Sequence, residues 1–75
     1  MNDRDLIQAF EEGKLYVRCL NTVQDDEGIY CYTGSKYEVV DISDDLGFMN
    51  IASDYLGIEL QISRYDEDFD LFIDN

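Results

Sequence analysis

The stretch Lys36-Tyr37-Glu38-Val39-Val40-Asp41-Ile42 decides the fold, because polar and apolar side chains alternate along it. Alternation with a period of two is typical of a β-strand that buries one of its faces. The pattern predicts Tyr37 and Val39 on the buried face, and Glu38, Val40 and Ile42 on the other. We therefore expect this stretch to be a central strand of a sheet.

Further strand-forming segments lie on both sides of this stretch. Their alternation and their β-branched and aromatic residues predict strands at 15–21, 29–32, 48–52 and 58–62, and a short turn and a last strand within 64–75. Polar turns separate them, as at 24–28 and 43–47. Five short strands at intervals of about ten residues are typical of a small antiparallel barrel. We expect this barrel to occupy residues 15–73.

The N-terminal segment has the spacing of a helix instead. Asn2 is placed to cap a helix over residues 3–12, and Gly13 to end it in a left-handed conformation. The apolar stripe of this helix consists of Leu6, Ile7, Ala9 and Phe10. We expect a single domain, residues 1–75, that is mainly β within the α+β class, with the helix covering one end or face of the barrel.

The charge balance restricts the partners. Eighteen acidic residues stand against five basic ones, with no histidine, so the formal net charge is −13. A chain this negative is repelled by nucleic-acid phosphates and by anionic membrane surfaces. We therefore expect neither direct nucleic-acid binding nor membrane binding. The expected partner is a protein with a basic surface, such as a groove that itself binds nucleic acid.

The residues needed for most catalytic and metal sites are missing from the sequence. Without histidine there is no Ser-His-Asp or Cys-His nucleophile system, and two cysteines are too few for a structural zinc site. The alternating acids Asp66, Asp68 and Asp70 resemble the start of a calcium loop, but Leu71 occupies the position that requires glycine. We expect a protein that is not an enzyme and has no metal or cofactor.

The two cysteines, Cys19 and Cys31, fall in predicted strands. The chain begins Met-Asn-Asp-Arg-Asp, with no apolar leader segment, and no stretch approaches the roughly 18 apolar residues of a membrane span. We expect a cytoplasmic protein with buried, reduced thiols. A disulfide across adjacent strands and a reactive thiol remain as alternatives.

Four segments together resemble a known family. They are Tyr16-Val17-Arg18-Cys19-Leu20-Asn21, the stretch 32–41 with Thr33-Gly34-Ser35-Lys36-Tyr37-Glu38-Val39, the segment 51–57, and the acidic segment 64–69 that ends in Phe69. Their order is similar to that of small SH3-like barrel proteins of phages and prophages. The resemblance covers residues 15–73. It implies a five-stranded antiparallel SH3-like barrel, a phage origin and therefore the cytoplasm of a host cell, and it implies no catalytic residue.

The acidic residues form clusters in the predicted turns, and tyrosines alternate beside one of them. The expected partner-binding residues are Asp25, Asp26, Glu27, Asp44, Asp45, Asp66, Glu67, Asp68, Tyr30 and Tyr32. Such clusters could imitate duplex phosphates, which follow one another about every 1.7 Å along the axis. The sequence thus predicts an inhibitor or modulator of a basic host protein that acts as a DNA mimic. We expect Arg18, Lys36 and Arg64 to pair with neighbouring acids.

Other interpretations of the same residues remain open. Acidic loops keep many small domains soluble without binding anything. The tyrosines could form a peptide-binding face, or simply belong to the core. An exposed edge strand could also support homo-oligomerisation, which would make the protein a structural or assembly component of a phage particle.

Overall fold

A computed structural model describes residues 1–75 and contains one helix and seven strands. These are α1 (Asp3–Glu11), β1 (Leu15–Cys19), β2 (Val23–Gln24), β3 (Ile29–Cys31), β4 (Lys36–Ile42), β5 (Phe48–Ala52), β6 (Glu59–Ser63) and β7 (Phe69–Ile73). The predicted mainly-β fold with one N-terminal helix is confirmed. No helix in it has the length and apolar character needed to cross a membrane.

The strands form two sheets. Five of them make an antiparallel sheet in the order β6-β5-β4-β1-β7, and β2 pairs with β3 in a separate two-stranded sheet. Both sheets are open, so the predicted closed five-stranded barrel is wrong in this respect. The segment Ile29–Cys31 lies outside the larger sheet and pairs with Val23–Gln24 across the polar turn between them. The fifth strand of the larger sheet is β7, which pairs with β1.

Strand β4 lies at the centre of the five-stranded sheet, as its sequence predicts. Tyr37 and Val39 are buried on the inner face, whereas Glu38 and Val40 are exposed. The register with β5 shifts between Val39 and Asp41, so a bulge interrupts the alternation. Ile42, predicted on the outer face, is therefore turned back and packs against the core.

Helix α1 packs on the sheet through part of its predicted stripe. Leu6 and Ala9 are buried and Phe10 is half-buried, whereas Ile7 is exposed. The side chain of Asn2 accepts a 2.8 Å hydrogen bond from the Asp5 amide, which confirms the predicted cap. Gly13 has a φ of 71°, which allows the chain to leave the helix in the left-handed conformation and enter β1.

The core is formed by the helix, the inner face of the larger sheet and Cys31 of the two-stranded sheet. It consists of Leu6, Ala9, Leu15, Val17, Cys19, Cys31, Tyr37, Val39, Met49, Ile51 and Ile62. Both cysteines in it are free and buried, as predicted. Burial raises the pKa of the Cys19 thiol and raises that of Cys31 to about 12. Both thiols are therefore held in the protonated form.

Candidate functional site

The acidic turn between β2 and β3 has a defined shape, which the side chain of Asp25 maintains. Its Oδ1 atom accepts hydrogen bonds from the amides of Glu27 (2.8 Å) and Gly28 (3.2 Å). The Asp25 amide in turn donates to the Gly28 carbonyl at 3.0 Å. A short side chain that binds its own following backbone is the usual way to close such a turn. The turn is consequently ordered, although its side chains are exposed.

Tyr30 connects this turn to the loop between β5 and β6. Its hydroxyl donates a 2.7 Å hydrogen bond to Oδ2 of Asp25, and its ring packs at 5.2 Å between centroids against Tyr55. The bond from Tyr30 is the main reason why the pKa of Asp25 is lowered. The same bond raises the pKa of Tyr30 to about 12. Asp25 thus stays ionised and Tyr30 stays protonated at neutral pH.

Gly28 allows the turn to approach Tyr55 closely. A Cβ atom at this position would collide with the Cε2 and Cδ2 atoms of the Tyr55 ring. Only glycine therefore fits against the ring without a shift of either group. The two residues are far apart in sequence, and this contact fixes the position of the acidic turn relative to the β5–β6 loop.

The buried hydroxyl of Tyr37 makes a second connection between the β2–β3 hairpin and the β5–β6 loop. The Tyr37 hydroxyl donates to Oδ2 of Asp54 at 2.7 Å and accepts a hydrogen bond from the Tyr32 amide, also at 2.7 Å. The Asp54 amide donates to the Tyr30 carbonyl at 2.9 Å. Burial, aided by the carboxylate of Asp54, raises the pKa of Tyr37 to about 12. The hairpin and the β5–β6 loop therefore form one connected surface.

We call this surface the tyrosine–acid face and define it by Asp25, Asp26, Glu27, Gly28, Tyr30, Tyr32, Asp54, Tyr55 and Leu56. Two of its apolar side chains are open to solvent, since Tyr32 is 48% and Leu56 83% exposed. Leu56 also has a φ of 52° and is followed by Gly57 with a φ of 71°. Left-handed backbone is unfavourable for leucine and favours asparagine or glycine. An exposed leucine in that conformation contributes little to folding.

The remaining acidic clusters lie elsewhere. Oδ1 of Asp45 accepts from the Ser43 hydroxyl (2.7 Å) and the Gly47 amide (2.9 Å), and the bond from Ser43 is the main cause of its lowered pKa. The Gly47 carbonyl accepts from the Arg64 amide at 3.0 Å, which places this turn beside the β6–β7 connection. Asp44 lies exposed in the same turn.

In the β6–β7 connection the acids also hold the backbone. Asp66 accepts from the Asp68 amide at 2.9 Å, and Asp68 accepts from the side-chain amide of Asn21 at 3.0 Å. No hydrogen bond joins Asp44, Asp45 or 66–68 to the 25–27 cluster. The structure thus brings Tyr30 and Tyr32 together with 25–27, and separately brings the 43–47 turn beside the 64–68 connection.

The basic side chains are mostly occupied. Arg64 pairs with Asp3 (2.6 Å) and Lys36 pairs with Asp74, as predicted. The prediction for Arg18 is wrong, because it forms no ion pair. Its guanidinium instead donates to the Gly34 carbonyl at 2.6 Å and lies 5.4 Å from the centre of the Phe72 ring. No group of three or more histidine, cysteine, aspartate or glutamate side chains is arranged to hold a metal ion.

Sequence reasoning missed four members of the tyrosine–acid face as site residues, namely Gly28, Asp54, Tyr55 and Leu56. The roles of Gly28, Asp54 and Tyr55 arise from contacts between separate loops. No local signal distinguished these residues, since the Leu-Gly pair at 56–57 has a counterpart at 46–47 outside the face. Comparisons with protein-family models, with curated proteins and with solved structures found no match.

Proposed function

We propose that this protein is a small acidic, non-catalytic binding domain whose tyrosine–acid face contacts the basic surface of a partner protein. The observation that carries the proposal is the order of the acidic hairpin. The hydrogen bond from Tyr30 to Asp25 and the contact of Gly28 with Tyr55 hold the turn in one position. A charged surface that is ordered before binding loses less conformational entropy when the complex forms.

The division of roles within the acidic turn supports the same proposal. Asp25 uses both carboxylate oxygens within the turn, whereas the side chains of Asp26 and Glu27 make no hydrogen bond or ion pair. Asp25 therefore shapes the turn, and Asp26 and Glu27 present charge. Tyr32 and Leu56 contribute exposed apolar surface to the tyrosine–acid face. Charge around an apolar centre is the usual composition of a protein–protein interface.

The acidity of the face favours a partner that ordinarily binds nucleic acid. A net charge of −13 attracts basic grooves over long range and accelerates association with them. We propose that the protein occupies such a groove as a DNA mimic, and that it inhibits or modulates a host protein in this way. The phage origin in this proposal rests on the resemblance of residues 15–73 to small phage proteins.

We also propose that the fold is related to SH3-like barrels. Five short antiparallel strands support this, as does the position of β6 and β7. These strands are consecutive in the chain but lie at opposite edges of the sheet. The connection 64–68 that joins them is short and contains turns closed by the bonds from Asp66 N to Ser63 O and from Phe69 N to Asp66 O. The sheet must therefore curl to bring its two edges near each other.

Capture from a bacterial lysate, followed by competition with duplex DNA, tests this function. Tagged protein is used at about 50 mM and about 500 mM salt, and the captured proteins are identified by mass spectrometry. We expect a basic, DNA-binding protein that is retained at low salt, lost at high salt, and displaced by DNA. A retained protein that is acidic, or that DNA does not displace, contradicts the proposal.

A further inference from the structure

The outer edge of β6 carries peptide groups that have no partner. Bonds from Ser53 N to Ile58 O and from Arg64 N to Gly47 O flank the β5–β6 ladder at its two ends. Because peptide groups in an antiparallel ladder point alternately to either side, these bonds direct Leu60 and Ile62 towards β5. Glu59 and Gln61 then direct their N–H and C=O groups outward.

These outward groups lie at an accessible edge of the sheet. β6 is the last strand of the sheet, and no hydrogen bond from outside the sheet reaches the peptide groups of Glu59 or Gln61. Both residues are exposed. Ser63, in contrast, is engaged, since its carbonyl accepts from the Asp66 amide and its hydroxyl from the Tyr65 amide. The unpaired edge therefore consists of the N–H and C=O groups of Glu59 and Gln61, together with the amide of Ser63.

We propose that two copies of this chain associate through their β6 edges, with Glu59 of each copy opposite Gln61 of the other. An antiparallel arrangement centred on Leu60 satisfies the outward peptide groups of Glu59 and Gln61, because each such pair exchanges two backbone hydrogen bonds. The side-chain amide of Gln61 also faces the carboxylate of Glu59 on the outer face. A register one residue further along would pair Glu59 with Ser63, whose carbonyl is already engaged.

The positions of the charged residues favour a dimer contact through β6 over one through the other edge strand, β7. On β7, Asp70 lies within the strand and Asp68 and Asp74 flank it. A second copy centred on residue 70, 71 or 72 would place an aspartate directly opposite another aspartate. Like charges in directly opposite positions destabilise strand pairing, and charged side chains are a common protection of edge strands. The β6 arrangement contains no such pair.

This inference goes beyond the proposed function and does not depend on it. The two processes respond to salt in opposite directions. Added salt weakens the attraction of an acidic face to a basic partner, but it screens the repulsion between two copies that each carry a charge of −13. Failure of one can therefore be distinguished from failure of the other.

Sedimentation of the full chain from about 10 µM to about 1 mM, at low and high salt, tests the dimer. We expect a reversible monomer–dimer equilibrium that salt strengthens. Gln61→Glu places a carboxylate opposite Glu59 in both of the cross-strand pairs and should weaken the dimer about tenfold. Gln61→Lys places an ammonium opposite Glu59 and should strengthen it. Gln24→Glu and Gln24→Lys, at an exposed position on β2, are the controls with the same net charge.

Amide hydrogen exchange at rising concentration locates the contact. Protection should grow at Glu59 and Gln61, while the amides of β7 remain unchanged. A monomer throughout this range at high salt overturns the proposal. The proposal is also overturned if the position-61 variants dimerise as strongly as the position-24 variants of the same charge. Concentration-dependent protection at β7 instead of β6 would overturn it as well.

Discussion

The hydroxyl of Tyr30 donates a 2.7 Å hydrogen bond to Oδ2 of Asp25, while Oδ1 of the same carboxylate binds the amides of Glu27 and Gly28. One carboxylate thus organises both the turn and its attachment to the tyrosines. This relationship explains how an exposed acidic loop keeps a defined shape. It also means that three of the roughly four acceptor sites of the Asp25 carboxylate are already used within the fold.

Replacement of Tyr30 by phenylalanine should release Asp25. The pKa of Asp25 should rise towards its ordinary value, because the hydroxyl is the main group that lowers it. The amides of Glu27 and Gly28 should exchange faster. Carboxyl titration by nuclear magnetic resonance measures the first effect. Tyr65→Phe, at an exposed position in the β6–β7 connection, is the control and should change neither quantity.

Gly28→Ala should destabilise the protein by about 1–3 kcal/mol, because the added methyl group must displace the Tyr55 ring. The cost should depend on that ring. In a Tyr55→Ala background the same substitution should cost much less, and urea unfolding of the four proteins in this cycle measures the difference. Equal costs in the two backgrounds would show that the ring is not the obstacle.

Leu56→Asn should stabilise the isolated protein by about 1 kcal/mol, because asparagine adopts positive φ more readily than leucine. The same variant should bind the partner more weakly if Leu56 is an apolar contact of the interface. Leu20→Asn, another exposed leucine but without positive φ, should change stability by less than about 0.5 kcal/mol. A loss of stability in Leu56→Asn would mean that the leucine packs within the fold.

The free energy of unfolding should decrease at alkaline pH rather than near neutral pH. Burial raises the pKa values of Cys31 and Tyr37 to about 12 in the folded state, from ordinary values of 9.0 and 10.0. Between these limits the unfolded chain loses protons that the folded chain retains, so the free energy of unfolding decreases as pH rises. The urea midpoint should therefore decline between about pH 9 and about pH 12.

A variant assigns part of this decline to one hydroxyl. Tyr37→Phe should be less stable at neutral pH, because the Tyr32 amide and Asp54 lose their partner. Its decline above pH 10 should be shallower than that of the wild type. A decline of the same steepness in both proteins would exclude Tyr37 as its source.

Local patterns predicted the parts of the structure that depend on neighbours in the sequence. Asn2 and Gly13 bound the helix as expected, and Tyr37 and Val39 alternate into the core. The bulge at Val40 could not be predicted, because it follows from the register between β4 and β5. Likewise, Val23–Gln24 is too short to show an alternating pattern, so its pairing with Ile29–Cys31 was not predicted.

The candidate site shows the same limit. The acidic turn and Tyr30 are visible in the sequence as a polar loop followed by an alternating strand. Their connection to Tyr55 and Asp54 is a long-range contact between loops, and no local pattern encodes it. The sequence also predicted one role for all three acids of the turn, whereas Asp25 is structural and Asp26 and Glu27 are free.

The central claim is that the free acids of the ordered hairpin attract the partner. Asp26→Lys combined with Glu27→Lys changes the net charge from −13 to −9, and Glu11→Lys combined with Glu38→Lys produces the same change on exposed positions of α1 and β4. The most direct measurement is the rate of association of each variant with the captured partner as a function of salt concentration. We predict that the hairpin variant associates much more slowly and with a flatter salt dependence than the matched control, with little change in dissociation. Equal association rates and equal salt slopes for the two variants would contradict the account.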